Sequence, residues 1–249
     1  MSRYVSRSST APRSLSVMRT VSDPAVAIPA WAKVMWITGV GPGGGGGNNS
    51  LSRGAGGGAA GYANRVPIAL AGEATCAIVI GAPGVGAVGN SSLYGAAGGT
   101  STVTVGVQVL TLAGGKGGGG GTSTAADIAG DGGLAHRGAS AQLAGIDRQQ
   151  ERFAPFTPLF GTSGFAPSDF LRQGASGGRS NLVGGQAEGL GAGAFSPFGA
   201  GGAGIPASVA NAPGGNASGH GAGGAGSNAA GKAGDGAPGY FLIDFSEAA

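Results

Sequence analysis

The sequence predicts an all-β fold, a small β-sandwich with long glycine-rich insertions, on three observations. Short β-branched and aromatic runs such as Val34-Met35-Trp36-Ile37-Thr38 end abruptly in turn-forming glycines. The segment Tyr240-Phe241-Leu242-Ile243-Asp244-Phe245 alternates like a strand and is too apolar for a loose tail. Between these lie tracts in which glycines recur every third residue.

Composition narrows the class. The 249 residues include 58 Gly and 13 Pro, the range in which low complexity is the usual reading. Disordered chains, however, are highly charged and poor in apolar residues, whereas here 10% of residues are charged and 41% hydrophobic. Such a chain would be poorly solvated if unfolded, so an ordered fold is expected. No strict every-third glycine persists as collagen requires. The net charge of +3 gives no basic surface for nucleic acid. No apolar run reaches the roughly 20 residues of a membrane helix, so no membrane insertion is expected. With one cysteine and two isolated histidines, no metal site of the cysteine/histidine type can be assembled, and no cofactor is implied. Cys76, within Glu73-Ala74-Thr75-Cys76-Ala77-Ile78-Val79, reads as a buried strand thiol.

Residues 1–27 carry Arg3, Arg7, Arg13 and Arg19 before the first acid, Asp23. This Arg- and Ser-rich, acid-poor stretch has the composition of an organellar transit peptide. The alternatives are a solvated tail or an extended arm that docks on a larger assembly, and the docking arm is the working expectation.

Residues 28–113 supply the sandwich strands, closed by 236–247. The first, around Trp36, is apolar on both faces (Val34, Trp36 and Thr38 against Lys33, Met35 and Ile37), which predicts a central strand covered on both sides. Strands follow over 61–70, 73–84 and 101–115. In the last of these, Val103, Val105, Val107 and Val109 alternate with Thr102, Thr104 and Gln108 as one half-buried strand. Glycine-rich regions span 114–146 and 184–239 and flank a Phe/Pro-rich insert, 147–183. A short helix over 140–153 fits the start of the insert, and prolines at 155, 158 and 167 stop anything longer.

Residues 221–226, Gly-Ala-Gly-Gly-Ala-Gly, show what the glycines could build. A three-residue spacing matches the extended left-handed helix, which has no internal hydrogen bonds and must pair its amides sideways. Only glycine lets backbones approach that closely. The tracts are then a bundle of three-residue-per-turn polyglycine helices, or else an unstructured tether. One chain's strands and helices appear too few to pair every backbone group, which points to a homo-oligomer, with a trimer expected.

Several chemical motifs fail in context. Gly84-x-Gly86-x-x-Gly89 lacks the helix and downstream acid of a dinucleotide site, and residues 226–233 end in Ala233 where a phosphate loop needs a hydroxyl. Gly174–Gly178 around Ser176 lacks the strand and helix of a nucleophile elbow. The 11 acids are scattered, so no catalytic residue is nominated and the chain is not expected to be an enzyme. The best candidate for partner binding is Phe153, Phe156, Phe160, Phe165 and Phe170, since aromatic side chains anchor interfaces. Packing beneath the glycine helices or at a subunit interface is the competing role. Loop asparagines Asn48, Asn49, Asn181 and Asn211 are second candidates, at the ends of the glycine helices.

The aliphatic/Trp strand running into Gly39-Val40-Gly41-Pro42 and Gly43 to Gly47 resembles the glycine-rich domain of bacteriophage tail-fibre, spike and tail-tip proteins. So do residues 54–66, the valine–threonine strand entering Gly114 to Gly121, and the closing 231–245. The similarity covers about 28–121 and 199–245. It implies a virion component with a β-sandwich and packed three-fold glycine helices, in trimeric fibres that touch the host. Its implied partners are other virion proteins through the N-terminal arm, further copies of itself and a host receptor. A capsid or neck decoration protein that stabilises the particle without meeting a receptor is the alternative.

Overall fold

The computed structural model describes residues 12–49, 54–89, 94–119, 132–133, 135–137, 171–172, 174–175, 177, 182–183, 186–187, 191–204, 212–228 and 231–247. Their strands are β1 (Ser14–Arg19), β2 (Asp23–Ala27), β3 (Val34–Val40), β4 (Asn48–Asn49), β5 (Tyr62–Ala69), β6 (Thr75–Val79) and β7 (Ser101–Val105). They continue with β8 (Gln108–Leu112), β9 (Ala135–Arg137), β10 (Leu171–Arg172), β11 (Leu182–Val183), β12 (Gln186–Ala187), β13 (Ser227–Asn228) and β14 (Tyr240–Ser246). The fold is all-β, and the described residues contain no helix.

Two antiparallel sheets, β1-β14-β3-β5-β10 and β2-β6-β7-β8-β9, pack as a sandwich. The strand around Trp36 and the closing segment meet as expected: β14 lies beside β3, Tyr240 opposite Val40 through Ser246 opposite Val34. Period-two alternation turns Met35, Ile37, Phe241, Ile243 and Phe245 inward against Cys76, Ile78, Val103, Val105, Leu110 and Leu112 of the second sheet. Removal of these side chains from water is the main force holding the sandwich together.

Three expectations are revised. First, β3 is central but its second face is covered only in part: Val34 and Val40 are buried at its ends, and Trp36 and Thr38 between them are half-buried. The apolar Trp36 tolerates this because the Arg65 guanidinium lies 5.0 Å from its ring centroid and its indole N–H donates to Ser246 Oγ at 3.3 Å. Second, the valine–threonine run is a hairpin, not one strand. Gly106, at φ 54°, opens the two-residue loop between β7 and β8 as a II′ turn requires, leaving Val107 93% exposed at its tip. Third, the glycine-rich region 114–146 contains a strand, β9, in which His136 lies opposite Thr111.

Of the stretch expected to be a docking arm, residues 1–11 lie outside the described residues. Ser14–Arg19 pairs with β14 as an edge of the first sheet, and Asp23–Ala27 pairs with β6 as an edge of the second. The sandwich therefore includes strands before residue 28. The helix expected over 140–153 also lies outside the described residues.

Candidate functional site

Segment 42–47 leaves β3 and meets six neighbours. Its amides donate to 237 and 234 (from Gly43 and Gly46), to 58 and 55 (from Gly44 and Gly47), and to 96 (from Gly45). Its carbonyls accept from 115 and 118 (at Pro42 and Gly45), from 84 and 87 (at Gly43 and Gly46), and from 224 and 227 (at Gly44 and Gly47). Five of the six partners recur at a spacing of three, so the segment turns once every three residues. One donor and one acceptor per residue then make six bonds per turn, one to each neighbour. This is a hexagonal lattice.

Two further segments are enclosed in the same way. Segment 54–61 bonds 41–47, 113–119, 133, 175, 194 and 221–227; segment 221–227 bonds 42–47, 54–60, 191–194, 202, 215 and 234–238. The three enclosed segments touch one another, and shorter segments ring them. Neighbours run both parallel (84 and 87 to 43 and 46) and antiparallel (43 and 46 to 237 and 234). The backbone of these segments is thus paired sideways, with neighbouring segments rather than within itself.

This lattice explains why a strand is wired directly to five glycines. A Cβ on any of Gly43 to Gly47 would lie closer than 3.0 Å to a neighbouring backbone, in Gly43 against the Ala222 carbonyl and in Gly46 against that of Ala225. Side chains fit only in wider gaps, where Ala55, Ala222 and Ala225 are fully buried. From Gly43 to Gly47 every position is therefore held to glycine by the close approach of neighbouring segments.

At the base of the bundle, Phe198 covers the outer face of the first sheet, edge-on to Tyr240 at 5.3 Å and to Tyr62 at 6.2 Å. His220 lies 4.7 Å from Tyr240, whose burial pushes its pKa up. The bridge Ser196–Gly199 holds this cover in place, with Ser196 Oγ donating to the His220 carbonyl. At the far end, Asn48 Nδ2 donates to Ser227 Oγ at 2.8 Å and to the Gly231 carbonyl at 2.6 Å, tying three segment ends together. Along the flank, Asp235 Oδ1 accepts from the Gly86 amide at 2.8 Å and Oδ2 from Lys232 Nζ at 2.7 Å. Burial alone would raise the Asp235 pKa; the Lys232 and Gly86 bonds outweigh it and hold the carboxyl below its ordinary value.

The nominated residues fall as follows. Phe153, Phe156, Phe160, Phe165 and Phe170, and Arg3, Arg7, Asn181 and Asn211, lie outside the described residues. Asn49 pairs with Asn228 between β4 and β13. Asn48 is fully buried, so its side chain serves the scaffold and not recognition. The Arg13 amide donates to Glu247 Oε2 at 3.3 Å while its carbonyl accepts from the Glu247 amide at 3.2 Å, and Arg19 Nε binds Asp23 Oδ2 at 3.0 Å. The Ala25 amide first, and Arg19 second, lower the Asp23 pKa. The aromatic cover at the base went unread in the sequence, because Phe198 and His220 sit in glycine-rich context with no spacing that joins them to Tyr62 or Tyr240. Among the described residues, no group of three or more His, Cys, Asp or Glu is placed to hold a metal ion.

A β-sandwich that roots a lattice of glycine segments is the arrangement to compare with known proteins, and the sequence pattern of the glycine-rich domain matches residues 19–246. The chain belongs to the glycine-rich domain family. The match takes in the last residue of β1, every strand from β2 to β14 and the bundle. None of the curated proteins matches the chain.

Proposed function

We propose that this glycine-rich domain is a non-enzymatic structural component of a tailed bacteriophage virion, a tail-fibre, spike or tail-tip part that takes part in host attachment. The observation that carries the reading is the geometry of the bundle. Glycine segments run side by side out from the sandwich strands, both parallel and antiparallel, and are tied together at the far end by Asn48, Ser227 and Gly231. A lattice with no side-chain rotamers to fluctuate is a stiff spacer, suited to holding recognition loops at a fixed distance from an anchor. The resemblance of residues 28–121 and 199–245 to phage fibre and tail-tip domains supports the same reading.

In this reading the N-terminal region joins the chain to other virion proteins, three copies assemble, and the Phe-rich insert contacts a partner or a neighbouring copy. The test uses antibody against the purified chain on particles of the phage that encodes it. Gold label at the tail is expected, with free chain blocking adsorption to the host. Label spread over the head with no block of adsorption supports a capsid or neck decoration protein instead, and no label overturns both readings. Light scattering of the full chain should give three copies. Deleting 151–170 keeps β10, and loss of assembly then marks the insert as internal packing, whereas intact assembly without adsorption marks it as the contact surface.

A further inference from the structure

The two edge strands on the N-terminal side of the sandwich are built differently. β2 is blunted: Pro24 removes a donor, the register to β6 shifts between Asp23 and Val26, and Asp23 is held by Arg19. β1 shares the ion pair through Arg19 but lacks the other two devices. It carries no proline and no register shift, and among the described residues no strand pairs on its far side. Leu15, Met18 and Val21, along and just beyond it, are 44%, 52% and 68% exposed.

The bonding phase of β1 identifies the open row. Glu247 donates to the Arg13 carbonyl at 3.2 Å, so Arg13 faces β14 with its backbone groups. In an antiparallel ladder this alternates, so Leu15, Val17 and Arg19 also spend their bonds on β14. Ser14, Ser16 and Met18 then direct their amides and carbonyls outward, and the Met18 carbonyl accepts from exposed Arg19 Nη1 at 3.1 Å, a bond that an incoming strand would displace.

We propose that β1 receives an extended segment of another polypeptide by strand addition, bonded to Ser14, Ser16 and Met18, with an apolar centre and acidic residues at its ends. Leu15 and Met18 supply apolar contacts on opposite faces of the new pair, and Arg13 and Arg19 flank the row. A second copy of this chain fits less well. Pairing β1 with itself about Ser16 sets Arg13 against Arg19 at both ends, and pairing about Val17 sets Leu15 against Arg19. Like charges directly opposite one another weaken a strand pair, and acidic ends strengthen this one. The inference deepens the reading of the N-terminal region as the docking element.

The test is binding of the full chain to the capped peptide Glu-Val-Thr-Val-Thr-Val-Thr-Glu and to its counterpart with Lys at both ends, read by fluorescence anisotropy. The acidic peptide should bind at least about tenfold tighter. It should slow amide exchange at Ser14, Ser16 and Met18 and leave Leu15 and Val17 unchanged. Met18→Pro should abolish binding while near-ultraviolet circular dichroism is retained; if that variant unfolds, the exchange pattern of the unmodified chain decides. Equal affinity for the two peptides overturns the proposal. So does slow exchange at the three open amides in the chain alone together with a dimer mass, which would make a second copy the occupant. If no peptide binds but the chain is found in particles, strand addition fails and the virion reading stands. Binding of the peptide by a chain absent from particles has the opposite meaning.

Discussion

Phe241 and Gly43 are both buried, and nothing else about their burial is alike. Phe241 is enclosed by side chains of two sheets, and its place is held by the water it avoids. Gly43 is enclosed by the backbones of 84, 222, 236 and 237, and its place is held by one donated and one accepted hydrogen bond. The sandwich depends on what its residues carry, the bundle on what its residues lack. A core can relax around a changed side chain by shifting rotamers, whereas a lattice of main chains has none to shift.

The comparison is broken most directly by adding two methyl groups to one row of the enclosed segment. Gly43→Ala with Gly46→Ala drives Cβ atoms into the Ala222 and Ala225 carbonyls. The cost should be about 4 kcal/mol, above the usual range for overpacking because backbones and not rotamers must move. Chemical denaturation would show it, and amide exchange should quicken in 42–61 and 221–237 before the sandwich. A loss below about 1 kcal/mol would mean that the segments are not held at lattice distance.

Phe241→Ala removes volume instead of adding it and should cost about 3–4 kcal/mol. If it and the glycine pair shift a single shared transition, sandwich and bundle fold as one unit; two separated transitions would make the bundle a dependent second unit.

Cys76 sharpens the contrast as a reporter of the sandwich alone. Burial foremost, with Asp23 nearby, pushes its pKa from 9.0 up to about 11. The folded state thus favours the neutral thiol, and this contribution to stability is complete below pH 9 and is lost as pH climbs from 9 toward 11. Alkylation at pH 8 should be far slower than for the unfolded chain and should quicken in Phe241→Ala. Rapid labelling of the native protein would contradict the packing of β6.

The smallest effect is expected at Asp235. Its lowered pKa means that the bonds to Gly86 and Lys232 stabilise above the ordinary carboxylate pKa and are lost as pH falls through the folded value. Asp235→Asn should cost about 0.5–1 kcal/mol at neutral pH and nearly nothing in acid. The Gly86 amide resonance should titrate in the original chain and not in the variant.

Much of the sandwich was legible in the sequence because period two and apolar content survive in β3, β5, β6 and β14. β1 and β2 were not: the alternation Ser14-Leu15-Ser16-Val17 lasts four residues and breaks at Met18-Arg19, inside an Arg- and Ser-rich stretch with the composition of a tail. The β7–β8 hairpin was hidden because one glycine, Gly106, makes the turn and the valine period continues through it. In the bundle, the spacing at 221–226 gave the helix type. It did not give the neighbours, because one glycine row is chemically the same as another. Their choice depends on where β3, β5, β6, β8 and β14 release and recapture the chain. The base cluster of Tyr62, Phe198, His220 and Tyr240 is likewise a product of that routing.

The rim of the lattice has its own consequence. Segment 84–87 is bonded by 42–47, 96 and 233–236, roughly half the partners of an enclosed segment, and its outward positions Val85 and Val88 stand 57% and 61% exposed. Those two valines close the array on that flank, since a further main chain could not come within bonding distance past them. Replacing them with glycine would reopen the flank to accretion. A lineage of such proteins could therefore widen or narrow by whole out-and-back excursions at the periphery, with the three central segments and the sandwich untouched.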